Sequence, residues 1–287
     1  MTYRIRGMGW LPDPPDFRDH TVKDAGVAQA VTANVQLMAL RGVPSTMPVP
    51  ALVGGSPGAE LPGSVDLRAS CSPIEDQGDI GSCTAHAVCG LIEYLQRNLY
   101  GDHIDAARLF LYKVTRSYLG WTGDTGAFVR STIKALRLFG VPPEDAYPYA
   151  TDRFDDEPSA FAYAFAGNYK AIEYHRLDDL RALKQSLAAG MPLAFGFTCY
   201  QSIFNDDVRR TGTIPLPRLE EKVVGGHAVM AVGYDDAAGC LLLRNSWGPG
   251  WGDAGYGTLP YEYVDQGLAQ DFWALAQMDV VPIEREP

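Results

Sequence analysis

The chain has 287 residues, 46% of them hydrophobic and 21% charged, which excludes a disordered tail or a bare metal module and leaves enough chain for a substantial core. Its net charge is −11, from 24 basic and 35 acidic side chains. Such a surface repels phosphate backbones, so no nucleic-acid partner is expected. No run approaches the ~18 consecutive apolar residues of a membrane helix, so no membrane partner is expected either. The first ten residues lack the apolar stretch of a secretory signal. The sequence therefore points to the cytoplasm, with secretion or surface display by a route not legible in these residues as the alternative. The five cysteines (Cys71, Cys83, Cys89, Cys199, Cys240) are odd in number and include no C-x-x-C pair. That pattern argues against a disulfide framework and a paired-thiolate metal site, so no metal and no cofactor are expected.

Along the chain, residues 10–19 carry three prolines and read as stiff and turn-rich, followed by a weakly apolar run from Ala28 to Leu40. Ten of the 23 positions in 41–63 are Pro or Gly, which reads as a linker. The expected division is therefore an N-terminal extension over 1–60 and a compact domain over 61–287. The clearest helix runs from Cys83 to Tyr100, with Val88, Leu91, Ile92, Leu95 and Leu99 on one face and Gly101 as its stop. Further helices are expected over 106–118, over 127–139 before Gly140, and from an Asp178 or Asp179 cap to Ala189. Strands are expected over Leu193–Tyr200, Ala228–Tyr234 and Cys240–Asn245, the last two joined by a turn at 235–239. Helices first and strands second argue for an α+β fold with segregated halves.

The chemistry centres on Cys83, which opens the long helix after Gly78, Gly81 and Ser82. Unpaired N–H groups and the helix dipole at that position are expected to lower the thiol pKa and favour the nucleophilic thiolate. The competing reading, a small buried hydrophobe, is the one adopted for Cys89. A thiolate needs a base, and His227 follows Gly225 and Gly226 at the opening of a strand. Asn245 ends the partner strand of that hairpin, so its amide oxygen can reach the imidazole and set its tautomer. Cys83, His86 and Cys89 turn away from one another on a helix and do not suit a metal ion.

These blocks resemble the papain-like cysteine peptidases of family C1. The cysteine block is Gln77-Gly78-Asp79-Ile80-Gly81-Ser82-Cys83; the histidine block is Gly226-His227-Ala228-Val229 with Val232-Gly233-Tyr234. The asparagine block is Asn245-Ser246-Trp247-Gly248, followed by Gly250-Trp251-Gly252 and Gly255-Tyr256-Gly257. The order Cys, His, Asn matches, and Val65-Asp66-Leu67-Arg68 resembles the start of a mature domain. Ile80 and Thr84 stand where the family usually has Cys and an aromatic, and these departures resemble the bacterial branch. The resemblance implies a two-lobed fold, with a helical lobe, an antiparallel β-barrel-like lobe and a cleft between them.

It also implies a cysteine endopeptidase acting through a Cys83 thiolate, a His227 imidazolium and an acyl-enzyme thioester. Asn245 would orient His227 and Trp247 would shield that hydrogen bond. Gln77 and the Cys83 backbone N–H would form the oxyanion hole. Gly126 would line the non-primed wall, Gly81 and Ser82 the first subsite, and Gly225 and Gly226 the second. The expected partners are a peptide or protein substrate and the chain's own N-terminal segment, with Trp10–Asp19 packed on the domain and the Leu11–Leu40 region blocking the cleft of a monomeric zymogen in reverse polarity. A transpeptidase or deamidase using the same thioester, or a catalytically silent binding protein, are the alternatives.

Overall fold

The computed structural model describes residues 7–42 and 60–280, without the side chains of Asp279 and Val280. Most of the 41–63 linker expectation lies outside the described residues. After an extended N-terminal segment comes α1 (Ala25–Leu40), then β1 (Ser64–Asp66) and the helices α2 (Cys83–Leu95), α3 (Arg108–Tyr118), α4 (Val129–Phe139) and α5 (Ala160–Ala166). The second half holds β2 (Tyr169–Leu177), α6 (Leu180–Ala188), β3 (Leu193–Tyr200), α7 (Asp206–Thr211) and β4 (Val223–Asp235). It finishes with β5 (Cys240–Arg244), β6 (Tyr256–Pro260), α8 (Glu262–Asp265) and β7 (Ala269–Val280).

The strands form one antiparallel sheet in the order β2-β7-β3-β4-β5-β6, with β1 joined to β4. It is an open sheet rather than a closed barrel. Like β1, β6 and the short helices α5, α7 and α8, the long strands β2 and β7 were not announced by the pattern of residues. Both owe their extended form to pairing: β7 sits between β2 and β3, where its Phe272, Trp273 and Leu275 are buried. β4 is longer than its apolar run suggests, because Val223–His227 pairs with β3 before the apolar half reaches β5.

α2 is the centre of the helical lobe. The sequence marks one apolar face, but every residue of α2 is buried, because α3 and α4 cover one side and the sheet the other. Its α-helical winding stops at Leu95, and Gln96–Tyr100 continues as a wider π-type turn to Gly101. Glu93, buried inside α2, takes a hydrogen bond from Ser72 and pairs with Arg108 at 2.6 Å. Arg244 of β5 donates to the same Ser72 at 3.0 Å, so one ionic cluster joins both lobes behind the cleft. Of the two capping candidates on α6, Asp179 is the one used; it accepts from the Ala182 N–H at 2.7 Å.

α1 packs on the sheet. Val27, Val31, Val35 and Met38 are all buried, against Ala189, Met191 and Ala276 or the main core, and Asn34 donates to the Ala276 carbonyl. Apolar burial at 3.6-residue spacing is what secures a helix with so little cap chemistry. Met38→Ala should therefore lower the unfolding free energy by about 2–5 kcal/mol in a urea titration. An unchanged midpoint would mean that α1 contributes nothing to the folded body.

Candidate active site

The two lobes meet where the N-terminus of α2 faces β4. Cys83 is the first residue of α2, and its sulfur lies close to the backbone N–H of Ala228, the neighbour of His227. His227 Nε2 is 2.8 Å from Asn245 Oδ1. The same oxygen accepts from the Ser246 N–H at 2.8 Å, which holds the amide in the orientation that presents oxygen to the ring. Nε2 therefore carries the proton in the neutral ring. Nδ1, with no hydrogen-bond partner, is the free lone pair of a fully buried imidazole. Trp247 stacks on the ring, centroids 4.5 Å apart, and Trp251 meets Trp247 edge-on.

Gln77 ties the two halves of the site together. Its backbone N–H donates to the Ser246 carbonyl at 2.9 Å, and its Oε1 accepts from the Ser246 hydroxyl at 2.6 Å. Its Nε2 is then turned away from Ser246, toward the loop before Cys83, and donates to the Ile80 carbonyl at 2.9 Å. Tyr149 bonds the Gln77 carbonyl from below. Ser246 and Tyr149 are the supporting residues that reasoning from sequence missed. Ser246 sits inside the Asn-Ser-Trp block and could have been found there; Tyr149 has no local signal. Ser82, expected at a subsite, is fully buried with its hydroxyl 2.7 Å from the Tyr149 hydroxyl, so that side chain braces the loop.

The N-terminal segment lies in this cleft. The Gly7 carbonyl accepts from Gln77 Nε2 at 2.8 Å. Ala127 N–H donates to the Gly9 carbonyl at 2.7 Å, Leu11 N–H to the Ala127 carbonyl at 3.1 Å, and Trp10 N–H to the Gly226 carbonyl at 3.1 Å. The Trp10–Ala127 bridge is parallel. Gly126 must be glycine here: its φ is +72°, and a Cβ would sit 2.2 Å from the Gly9 carbonyl oxygen. The Trp10 indole lies over Gly196 and Gly226. Gly81 is pinned by Asp124, whose carboxylate accepts its N–H at 2.8 Å, while Tyr112 links Asp124 to the Gly126 N–H. Of the expected site residues, Gln77, Gly81, Cys83, Gly126, Gly225 and Gly226 all adjoin residues 7–11.

Burial at the site reverses one expectation. Burial pushes the Cys83 thiol up to about 11, against the opposing pull of the Ala228, Gly9 and Thr84 N–H groups. Burial also pushes His227 down to about 4, although its bond to Asn245 pulls the other way. Desolvation outweighs the helix terminus, and both groups are neutral across the physiological range. All five cysteines are free and buried, and among the described residues no group of three His, Cys, Asp or Glu side chains could hold a metal ion.

A buried cysteine at a helix terminus, an amide-oriented histidine and a two-lobed cleft filled by peptide define a thiol-dependent peptidase. The match of residues 61–273 to the model of the papain family of cysteine proteases places it further: the chain belongs to that family. It is 31% identical to the peptidase C1-like protein L477 of Acanthamoeba polyphaga mimivirus over 95% of this chain and 88% of that protein. It is 28% identical to mouse pro-cathepsin H over 68% of this chain, but spans only 59% of that relative. Among solved structures, xylellain, a cysteine protease from Xylella fastidiosa, covers 98% of this chain and 99% of its own at 33% identity and a TM-score of 0.76. Procathepsin L 3 of Tenebrio molitor, at 23% identity and a TM-score of 0.62, shares the fold over 77% of this chain and 72% of its own.

With the thiol near 11, alkylation of Cys83 by iodoacetamide in the full-length chain should climb toward tenfold per unit between about pH 6 and 9. Peptide mapping separates it from the other four cysteines. A rate already level from mildly acidic pH would show that the thiolate–imidazolium pair exists with the segment in place.

Proposed function

We propose that the chain is a cysteine endopeptidase held latent by its own residues 7–11. Cys83 attacks a peptide carbonyl after passing its proton to His227 Nδ1, and His227 returns that proton to the leaving amine. Water then hydrolyses the thioester, with His227 as base. Asn245 keeps Nε2–H occupied so that Nδ1 is the nitrogen that works. Gln77 Nε2 and the Cys83 N–H stabilise the oxyanion. Trp247 excludes water from the His227–Asn245 bond.

The observation that carries this reading is the Gly7 carbonyl on Gln77 Nε2: a peptide carbonyl already occupies the donor that a scissile carbonyl would need. Residues 9–11 then run on past Gly126 and Ala127, where a substrate would place residues preceding its scissile bond. The direction is therefore opposite to a substrate's, in keeping with the parallel bridge. In that direction no peptide bond is presented for attack. The neutral thiol and imidazole are the second half of the latency. Once the segment leaves, water and the α2 terminus again favour the thiolate and the imidazolium. Relatives named as pro-forms, mouse pro-cathepsin H among them, agree with a zymogen.

In the full-length chain, Trp10→Ala removes the indole that seats the segment, a loss of about 3–5 kcal/mol for a buried Trp. Hydrolysis of a fluorogenic peptide should rise by more than about tenfold. A folded variant no faster than the parent would remove the latency reading. Adding Gln77→Ala to that variant should cut kcat by ~10²–10³. Undiminished kcat would take Gln77 out of the oxyanion site.

A further inference from the structure

Beyond the reactive residues, where the N-terminal segment continues past Ala127, two arginines lie against one tryptophan. Arg130 of α4 and Arg176 of β2 place their guanidinium carbons 5.5 and 5.7 Å from the centroid of Trp273 on β7. They are only 7% and 8% exposed, so both charges have left water. Buried arginines need carboxylates. The carboxylates come mainly from the N-terminal segment: Asp19 Oδ2 lies 3.0 Å from Arg130 Nη2 and 3.6 Å from Arg176 Nη1. Asp13 Oδ2 lies 3.4 Å from Arg130 Nε, and the Pro14 carbonyl accepts from Arg130 Nη2 at 2.7 Å.

What the body of the protein supplies is less. Asp271 of β7 stands 3.8 Å from Arg176 Nη1 and accepts from the Trp273 indole N–H at 2.6 Å. Asp178, 3.8 Å from Arg176 Nε, is two-thirds exposed and screened by water. Lys134, one turn beyond Arg130 on α4, adds further positive potential at Asp13. Removing the segment takes two carboxylates from the two arginines and, among the described residues, leaves Asp271 as the buried acid beside them. Even with the segment seated, Arg130 Nε and Arg176 Nη1 lack a hydrogen-bond acceptor.

We propose that the Arg130–Trp273–Arg176 stack is an acid-recognition subsite of the cleft, filled by Asp13 and Asp19 in the closed chain and by an acidic substrate side chain in the open enzyme. The inference rests on the reading of the N-terminal segment as the cleft's occupant. Asp13 follows Leu11, the last residue on the Ala127 ladder, by two positions, and reversing the direction puts the matching substrate residue upstream of the scissile bond. The planar forks suit a carboxylate, and contact with the Trp273 ring helps to keep both guanidiniums in place. An enzyme with a net charge of −11 would thus draw acidic peptides to one local positive site.

The test uses the full chain carrying Asp13→Asn and Asp19→Asn. Its hydrolysis of a neutral fluorogenic peptide should exceed the parent's by more than about tenfold, because the segment has lost its charged anchors. Peptide pairs with Asp or Asn scanned through the third to fifth positions before the scissile bond are then compared. At one of these positions kcat/KM should favour Asp by about tenfold, and adding Arg130→Gln should abolish the preference. Arg130→Lys, which keeps the charge without the fork, should leave part of it and serves if Arg130→Gln fails to fold. A double variant as slow as the parent overturns the proposal. A faster double variant that cuts the Asp and Asn peptides equally overturns the subsite but leaves the occupant reading standing. A parent chain as active as the Trp10→Ala variant instead overturns the occupant reading itself.

Discussion

The site depends on the hydrogen bonds between Gln77 and Ser246. They join a loop of the helical lobe to a turn of the β-lobe through one backbone bond and one side-chain bond, both buried. The first fixes where α2 begins and hence where Cys83 points. The second turns the Gln77 amide so that its N–H group faces the cleft. Ser246 is next to Asn245, so the same contact sets the distance between the amide that orients His227 and the loop that carries the thiol. The Glu93–Arg108–Ser72–Arg244 cluster does comparable work deeper in the seam. A buried ionic group of this kind adds little net stability over an apolar one, but breaking it is costly, which keeps the two lobes in one register.

Two opposing forces act on the thiol, and their magnitudes decide its state. A helix N-terminus is worth up to about 2 kcal/mol in a partly buried setting, or roughly one and a half pKa units. The thiol nevertheless stands above its ordinary 9.0, at about 11, because burial penalises the anion more than the surrounding N–H groups, that of Gly9 among them, favour it. The fold thus holds the components of a nucleophile in a state where they do not ionise. A single segment bonds the Gln77 amide beside a buried thiol, so in the proposed zymogen geometry and protonation would change together on its release.

Much of the site was legible from residue order. Cysteine, histidine and asparagine each sit in short blocks whose glycines and aromatics have local meaning. The periodicity of α2 was legible because Val88, Leu91, Ile92 and Leu95 repeat at helical spacing. β7 was not, since Ala269, Asp271, Ala274, Ala276 and Asp279 carry little strand preference of their own and pairing with β2 and β3 decides its form. α1 read only as a weak apolar run; its docking is decided by Ala189, Met191 and Ala276, which are distant in sequence.

Residue order alone marks the atoms proposed to do chemistry: a thiol, an imidazole, two amides and the glycines that let a peptide approach them. These are local matters of residue type, spacing and turn. The tertiary structure alone decided their ionisation, because desolvation sums contributions from every element packed around a group. It also decided what lies in the cleft and how it is held. Arg130 meets Pro14 and Asp19 across separations of 116 and 111 residues, and no pattern along a chain encodes a pairing made only when the folded lobes bring both ends together.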